Sequence, residues 1–282
     1  MINLSDRLQK IADNISKGET MADIGTDHGF LPIYLIQKKL SPHVIMADIS
    51  GPSLDKARRN AALYLGPETE AAEFRVGDGL KVLKPAEVDD IVIAGMGGKL
   101  MIDIMAADLE HTRSFKKFIL QPRIGQGHLR KWLMENGFVI VGDDLVYEGR
   151  FIPEIITAVT AGNGCDGGAA GAGNDNSGND GDSGGRSDSC IEKEAPEDIT
   201  YGMLTEYDMA GKTGDDMLYR IPPWIVRADG PVEEFLLRNI EGQKKKIESV
   251  MLAKQRNRQL EEKICDEIYY LKKLLGEYRN GN

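Results

Sequence analysis

The chain has 282 residues, 41% of them hydrophobic, and a formal net charge of −10. No apolar run approaches the roughly 20 residues that a membrane span needs, so no membrane association is expected; a segment of ~150 residues is long enough to bury roughly 70% of its unfolded surface. The acidic balance, taken alone, argues against a nucleic-acid partner, because phosphate contacts need Lys and Arg, so the local distribution of charge decides the matter.

Met1-Ile-Asn-Leu-Ser-Asp-Arg7 contains no apolar stretch of the signal-peptide type. Cys165, Cys190 and Cys265 make no disulfide framework and lack metal-ligand spacing. A cytoplasmic protein without a metal site is expected.

Residues 5–15 read as a short amphipathic helix, with Leu4, Leu8, Ile11 and Ile15 at helical spacing and Ser5 as its N-cap. A strand over 20–24 follows, then a Gly-rich loop, then a helix over 31–40 whose first turn tolerates Pro32. This is the first strand-loop-helix unit of a doubly wound sheet, where nucleotide-like cofactors sit at strand C-termini. Further units repeat it: strands over 44–49, 73–76, 90–94 and 117–122, and helices over 52–65, 99–108 and 126–136. The alternation then changes. Residues 138–147 and 151–160 are two strand-like runs separated only by Glu148-Gly149-Arg150, a hairpin signal. Five such units closed by an antiparallel hairpin predict an α/β, Rossmann-like sheet of the class I methyltransferase type, since a dehydrogenase sheet would end on a parallel strand.

Residues 162–190 carry ten Gly and five Asp against the single Arg186, with almost no apolar residue. Such a stretch cannot bury enough surface to order itself, and a flexible insert over 162–198 is expected. In the connecting segment 199–230, Tyr201, Met203, Leu204, Tyr207, Met209, Pro222, Pro223 and Trp224 read as packing residues. Residues 231–282 are strongly helical, with Pro231 suited to a first helical turn. Leu236, Ile240, Gln243, Ile247 and Val250 form one seam; Leu260, Ile264, Glu267, Leu271, Leu274 and Tyr278 form another. The seam fails at Lys254 and Asn257, which predicts an α-helical, coiled-coil hairpin turning near 254–258. Residues 244–258 hold six basic residues and one acid, a basic end on an acidic protein.

The candidate chemistry lies at the strand ends. In Asp23-x-Gly25-x-Asp27, Gly25 lets a ligand approach the backbone and Asp23 is placed to hold an amine. The alternative is a structural turn with a capping Asp. The loop lacks a full G-x-G-x-x-G, which counts against a pyrophosphate cofactor. Asp48 ends the second strand, the place of a ribose-binding acid, and Asp78 follows the third, where an adenine amine needs an acceptor. Acids at three consecutive strand ends suit a cofactor with an amine and two free hydroxyls but no phosphate. S-adenosyl-L-methionine has that inventory. Gly95-Met96-Gly97-Gly98 lies where substrate would meet the methyl group, and Gln121-Pro122-Arg123 would line the same mouth. The groups Lys56/Arg58/Arg59, Arg113/Lys116/Lys117, Arg123/Arg130/Lys131 and the 244–258 run are candidates for a discontinuous backbone-binding surface.

Met21-Ala-Asp-Ile-Gly-Thr-Asp-His-Gly-Phe-Leu-Pro32, Gly77-Asp-Gly-Leu80, Ile93-Ala-Gly-Met-Gly-Gly98 and Leu120-Gln-Pro122 with Leu129-Arg-Lys-Trp-Leu133 together resemble the bacterial tRNA adenine-N1 methyltransferases that modify adenine 22. The resemblance covers about residues 1–160. It implies S-adenosyl-L-methionine held by Asp23, Gly25, Asp48, Ile49, Asp78, Gly79, Ala94, Gly95 and Met96, and a helical hairpin that helps grip tRNA. On this footing Phe30 would stack on the extruded adenine, Asp27 or His28 would hold its amine, and Gly97 would leave room for the base. One departure stands out: Arg123 occupies a position where the family often has Asn. The expected division is a methyltransferase domain over 1–161, the insert, the connecting segment, and the hairpin over 231–282; the oligomeric state is left open, with a monomer favoured. Alternatives are a methyltransferase for another RNA or for protein, and a non-catalytic tRNA-binding protein of the same fold.

Overall fold

The computed structural model describes residues 1–66, 69–161, 211–253, 255 and 257–281. The expected insert, its Cys165 and Cys190, and the packing residues Tyr201 to Met209 lie outside the described residues.

Seven strands form one sheet: β1 (Met21–Ile24), β2 (Val44–Asp48), β3 (Ala72–Val76), β4 (Asp90–Gly97), β5 (Lys117–Ile124), β6 (Phe138–Leu145) and β7 (Glu154–Thr160). Their spatial order is β3-β2-β1-β4-β5-β7-β6. The first five are parallel, while β7 runs antiparallel to both β5 and β6. Helices cover both faces, so the central strands are apolar throughout: Ile91, Val92 and Ile93 are all fully buried. One face packs on α1 (Asp6–Asp13), α2 (Phe30–Gln37) and α3 (Gly51–Leu65). The other packs on α4 (Gly98–Ala106), α5 (Leu109–Thr112), α6 (Gln126–Glu135) and a 3-10 turn over Gly79–Val82.

Several boundaries differ from the sequence reading for local reasons. Ser5 caps α1 as expected, accepting from the Leu8 amide at 3.4 Å. Helix α2 stops at Gln37 because Lys39 turns left-handed, with φ 55°. The helix expected to reach 108 divides instead: Asp108 is extended and caps α5, accepting from the His111 amide at 3.0 Å. Strand β4 runs on to Gly97 through an irregularity at Ala94 and Met96. The closing hairpin is shorter than its apolar pattern, since the ladder ends at Leu145 opposite Glu154 and a lone bridge pairs Glu148 with Phe151.

After the sheet, α7 (Met217–Arg220) and a 3-10 turn over Pro223–Arg227 lead into α8 (Val232–Met251), which pairs with α9 (Arg258–Gly281). Pro231 precedes the first turn of α8 rather than lying in it. Leu236 and Ile240 meet Leu271, Leu274 and Leu275 in a third core cluster, which Leu145 and Ile225 join to the sheet. Gln243 and Glu267, one on each helix, are buried in that seam.

The join is also ionic. Arg130 on α6 is wholly buried and donates to Asp143 at 2.7 and 2.8 Å and to Glu154 at 2.6 Å. Its remaining nitrogen reaches the Tyr219 and Arg220 carbonyls at 3.2 and 3.1 Å. Trp224 Nε1 donates to the same Asp143 at 3.1 Å.

Candidate functional site

The C-terminal ends of the parallel strands converge on one edge, and the loops there are tied to one another. Gly25 leaves β1 at φ +85°, and its amide donates to the Ala47 carbonyl on β2 at 2.8 Å. Gly77, after β3, donates to the Asp48 carbonyl at 3.0 Å. Met96, after β4, folds over the first loop: a Cβ added at Gly25 would lie 2.0 Å from its terminal methyl. Gly95 turns left-handed at φ +76°, and its amide donates to the Gln121 side-chain oxygen at 3.2 Å.

The structure brings Asp23, Gly25, Asp48, Ile49, Asp78, Gly79, Ala94, Gly95 and Met96 to this one edge. Asp23 ends partly buried. Burial pushes its carboxyl up to about 6, Asp48 adds to the rise, and Arg7 opposes it. Arg7 is itself paired with Glu148 at 2.8 Å. Asp23 is thus an anion held in poor solvent with its neighbouring cation committed elsewhere, which is the setting a bound ammonium group would relieve. Asp48 accepts from the Ser50 amide at 2.6 Å, and Asp78 pairs with Lys81 at 2.6 Å. Glycine at 25 admits the close approach of Met96, and the chemistry of the strand-end acids fits an amino-acid-bearing nucleoside.

The substrate-side residues stand beside it. Phe30 opens α2 and is partly exposed; His28 stacks on it with ring centroids 5.3 Å apart and planes 10° from parallel. Asp27 is held by Lys56 at 2.7 Å and His28 at 3.1 Å, and the Lys56 bond keeps its carboxyl low. Asn60 donates to the His28 carbonyl at 2.9 Å, fixing the loop to α3. Gly97 ends β4, with Ile124 nearby. Ile49, Val76, Leu100 and Ile124 are exposed apolar residues around the same mouth.

Three residues of the expected basic groups are not free surface. Arg130 is the buried ion-pair centre described above. Arg113 donates to the Asn136 carbonyl at 2.8 Å, and Lys117 pairs with Glu19 at 2.7 Å at the opposite edge of the sheet. Spacing suggested a face; long-range partners decide which side of it each residue occupies. Lys244, Lys245 and Lys246 on α8 are exposed, as is Arg258. The sequence reading missed Arg7 and Glu148, which meet across 141 positions and carry no local signal.

Among the described residues no group of His, Cys, Asp and Glu has the arrangement to hold a metal ion, and no helix is long and apolar enough to cross a membrane.

The methyltransferase domain family matches residues 4–156. The chain is 35% identical over 158 residues to the tRNA (adenine(22)-N(1))-methyltransferase of Bacillus subtilis (strain 168), covering 56% of this chain and 65% of that protein. The structure is similar to the crystal structure of the B. subtilis M1A22 tRNA methyltransferase TrmK, with a TM-score of 0.69 and 23% identity over 98% of this chain and 100% of that one. It is also similar to a Streptococcus pneumoniae putative tRNA (m1A22) methyltransferase in complex with S-adenosyl-L-methionine, with a TM-score of 0.67 and 21% identity over 97% and 100% of the two chains. The likeness to both solved structures is one of fold: a class I methyltransferase sheet followed by a helical hairpin.

Proposed function

This chain belongs to the methyltransferase domain family, and from that premise we propose that it is an S-adenosyl-L-methionine-dependent tRNA methyltransferase that modifies N1 of adenine 22. The observation that carries the proposal is the gathering of Asp23, Asp48 and Asp78 at three adjacent strand ends, beside the Gly25–Met96 contact. The curated relative of the same named activity supports the choice of base.

In this reading Asp23 receives the cofactor's amine, Gly25 admits its backbone-facing side, and Asp48 with Ile49 beside it receives the ribose. Asp78 and Gly79 receive the adenine, and Ala94, Gly95 and Met96 close the floor. When bound, S-adenosyl-L-methionine supplies an electrophilic methyl on a sulfonium. Transfer of that methyl to the N1 lone pair of the target adenine would break the carbon–sulfur bond, leaving the positive charge on the base and a neutral thioether. No covalent nucleophile is needed, and positioning supplies the rate, with near-attack alignment contributing ~7–11 kcal/mol. A base in a tRNA helix must first be extruded, at about a few kcal/mol. Phe30, backed by His28, offers the ring on which it stacks, and Gly97 leaves room beside it. Asp27 accepts from the adenine amine by exchanging one of its two present partners.

Residues 1–161 form the catalytic part, and the hairpin over 231–282 grips tRNA in the cytoplasm through Lys244, Lys245, Lys246 and Arg258. The decisive experiment incubates the protein with tRNA and methyl-labelled cofactor and analyses the nucleosides. Label in 1-methyladenosine, lost when adenine 22 is replaced by guanine, is expected. Label in another nucleoside or in protein would reassign the substrate, and no label despite cofactor binding would make the chain a binding protein.

A further inference from the structure

The methyl-donor loops lean on a residue outside them. Arg7, on the polar side of α1, is anchored by Nε to Glu148 at 2.8 Å, and its Nη1 donates to the side-chain oxygen of Gln121 at 3.3 Å. That same oxygen accepts the Gly95 amide at 3.2 Å. Gln121 is buried at 3% exposure. Its own amide donates to the Pro122 carbonyl at 3.1 Å, which fixes the oxygen toward the turn. One acceptor thus joins the N-terminal helix to the left-handed Gly95 turn, whose next residue, Met96, packs on Gly25.

We propose that Arg7 is a positioning residue of the donor site, holding the Gly95 turn, and with it the Met96 contact on Gly25, through Gln121. The proposal rests on the reading of this strand edge as the S-adenosyl-L-methionine site. Glu148, on the turn between β6 and β7, anchors the guanidinium at its Nε, which leaves Nη1 for Gln121.

Isothermal titration of the full chain with S-adenosyl-L-homocysteine at pH 7 tests the proposal. This ligand keeps the amine and cannot react. Arg7→Gln and Gln121→Leu should each weaken binding about tenfold, and the double variant should be no weaker than either alone, because each change breaks the same tie. Arg7→Lys, which can still donate to Gln121, should recover part of the loss. Should Arg7→Gln fail to fold, Arg7→Met keeps the aliphatic packing and gives the same reading. A folded Arg7→Gln or Arg7→Met protein with the parent's affinity, or a double variant whose losses add, overturns the proposal. Parent protein that does not bind the ligand overturns the donor-site reading itself, a separate result.

Discussion

Arg130 and Asp143 form a two-point ion pair, at 2.7 and 2.8 Å, from which water is fully excluded. Burial pushes the neighbouring Glu154 carboxyl up against the pull of Arg130. The guanidinium therefore balances two acids while capping the carbonyls of α7. Arg130→Ala should destabilise the protein by about 3–5 kcal/mol, because it leaves buried charge uncompensated. Urea denaturation gives the number; a loss under about 1 kcal/mol would mean the site admits water.

Asp23 makes cofactor affinity depend on pH. Its folded value is raised to about 6, and the ionised form is the one that meets an amine. Affinity for S-adenosyl-L-methionine should be flat above about pH 7 and weaken toward tenfold per pH unit well below 6. Asp23→Asn should bind weakly at every pH. Calorimetry across pH 5 to 8 reads both, and an Asn variant with parental affinity would remove Asp23 from the site.

Gly25→Ala should fold and lose the cofactor. The substitution meets two obstacles at once: φ of +85°, and the Met96 methyl 2.0 Å from the new carbon. Backbone strain of about 1–3 kcal/mol is expected, and the clash is relieved only by moving Met96 out of the floor. Binding should weaken at least about tenfold, while near-UV circular dichroism stays close to that of the parent.

Asp90 lies at the other end of β4, wholly buried, with Lys117 3.4 Å away. Burial raises its carboxyl to about 8 from an ordinary 3.8. A group raised in the folded state stabilises fully below its unfolded value and loses that contribution as pH climbs through the folded one. Asp90→Asn should therefore match the parent near pH 4 and exceed it at pH 8, by about 1–3 kcal/mol. Lys117 keeps Glu19 as partner. Melting curves at the two pH values decide it, and an Asn variant less stable at pH 8 would contradict this account.

Replacing Lys244, Lys245 and Lys246 together by Glu should weaken tRNA binding and lower its salt slope by about 2–3, with cofactor affinity untouched. Filter binding from 50 to 200 mM salt measures it. An unchanged slope would place the phosphate contacts elsewhere.

The fold was legible where the physics is local. Continuous apolar runs such as Ile91 to Ile93 mark strands buried on both faces, and Glu148-Gly149-Arg150 marked the reversal into β7. The failed seam at 254–258 located the gap between α8 and α9. The strand-end acids were legible because a doubly wound sheet brings consecutive strand ends to one edge. What stayed hidden depends on distant partners. The sequence around Arg130 resembles any basic helix face, and only Asp143, Glu154 and two carbonyls make it core. Arg7 reads as one polar residue of an amphipathic helix until Gln121 and Glu148 arrive from positions more than a hundred residues away. The 3-10 turn at Gly79–Val82 lacks the length to leave a periodic trace.

The antiparallel course of β7 has a consequence for substrate size. β6 ends and β7 begins at the edge where the parallel strands end, so the turn between them lies at the candidate mouth and roots α8 there; Tyr147 pairs with Glu234, and Arg238 with the Arg150 carbonyl. From that root α8 extends for 20 residues, about 30 Å at 1.5 Å per residue, and its lysine run begins about 18 Å out. The two ends act as a ruler. On the proposed function, a free nucleoside or a short stem would touch the mouth or the lysines but not both, and a long, rigid RNA body would be favoured before any base is read.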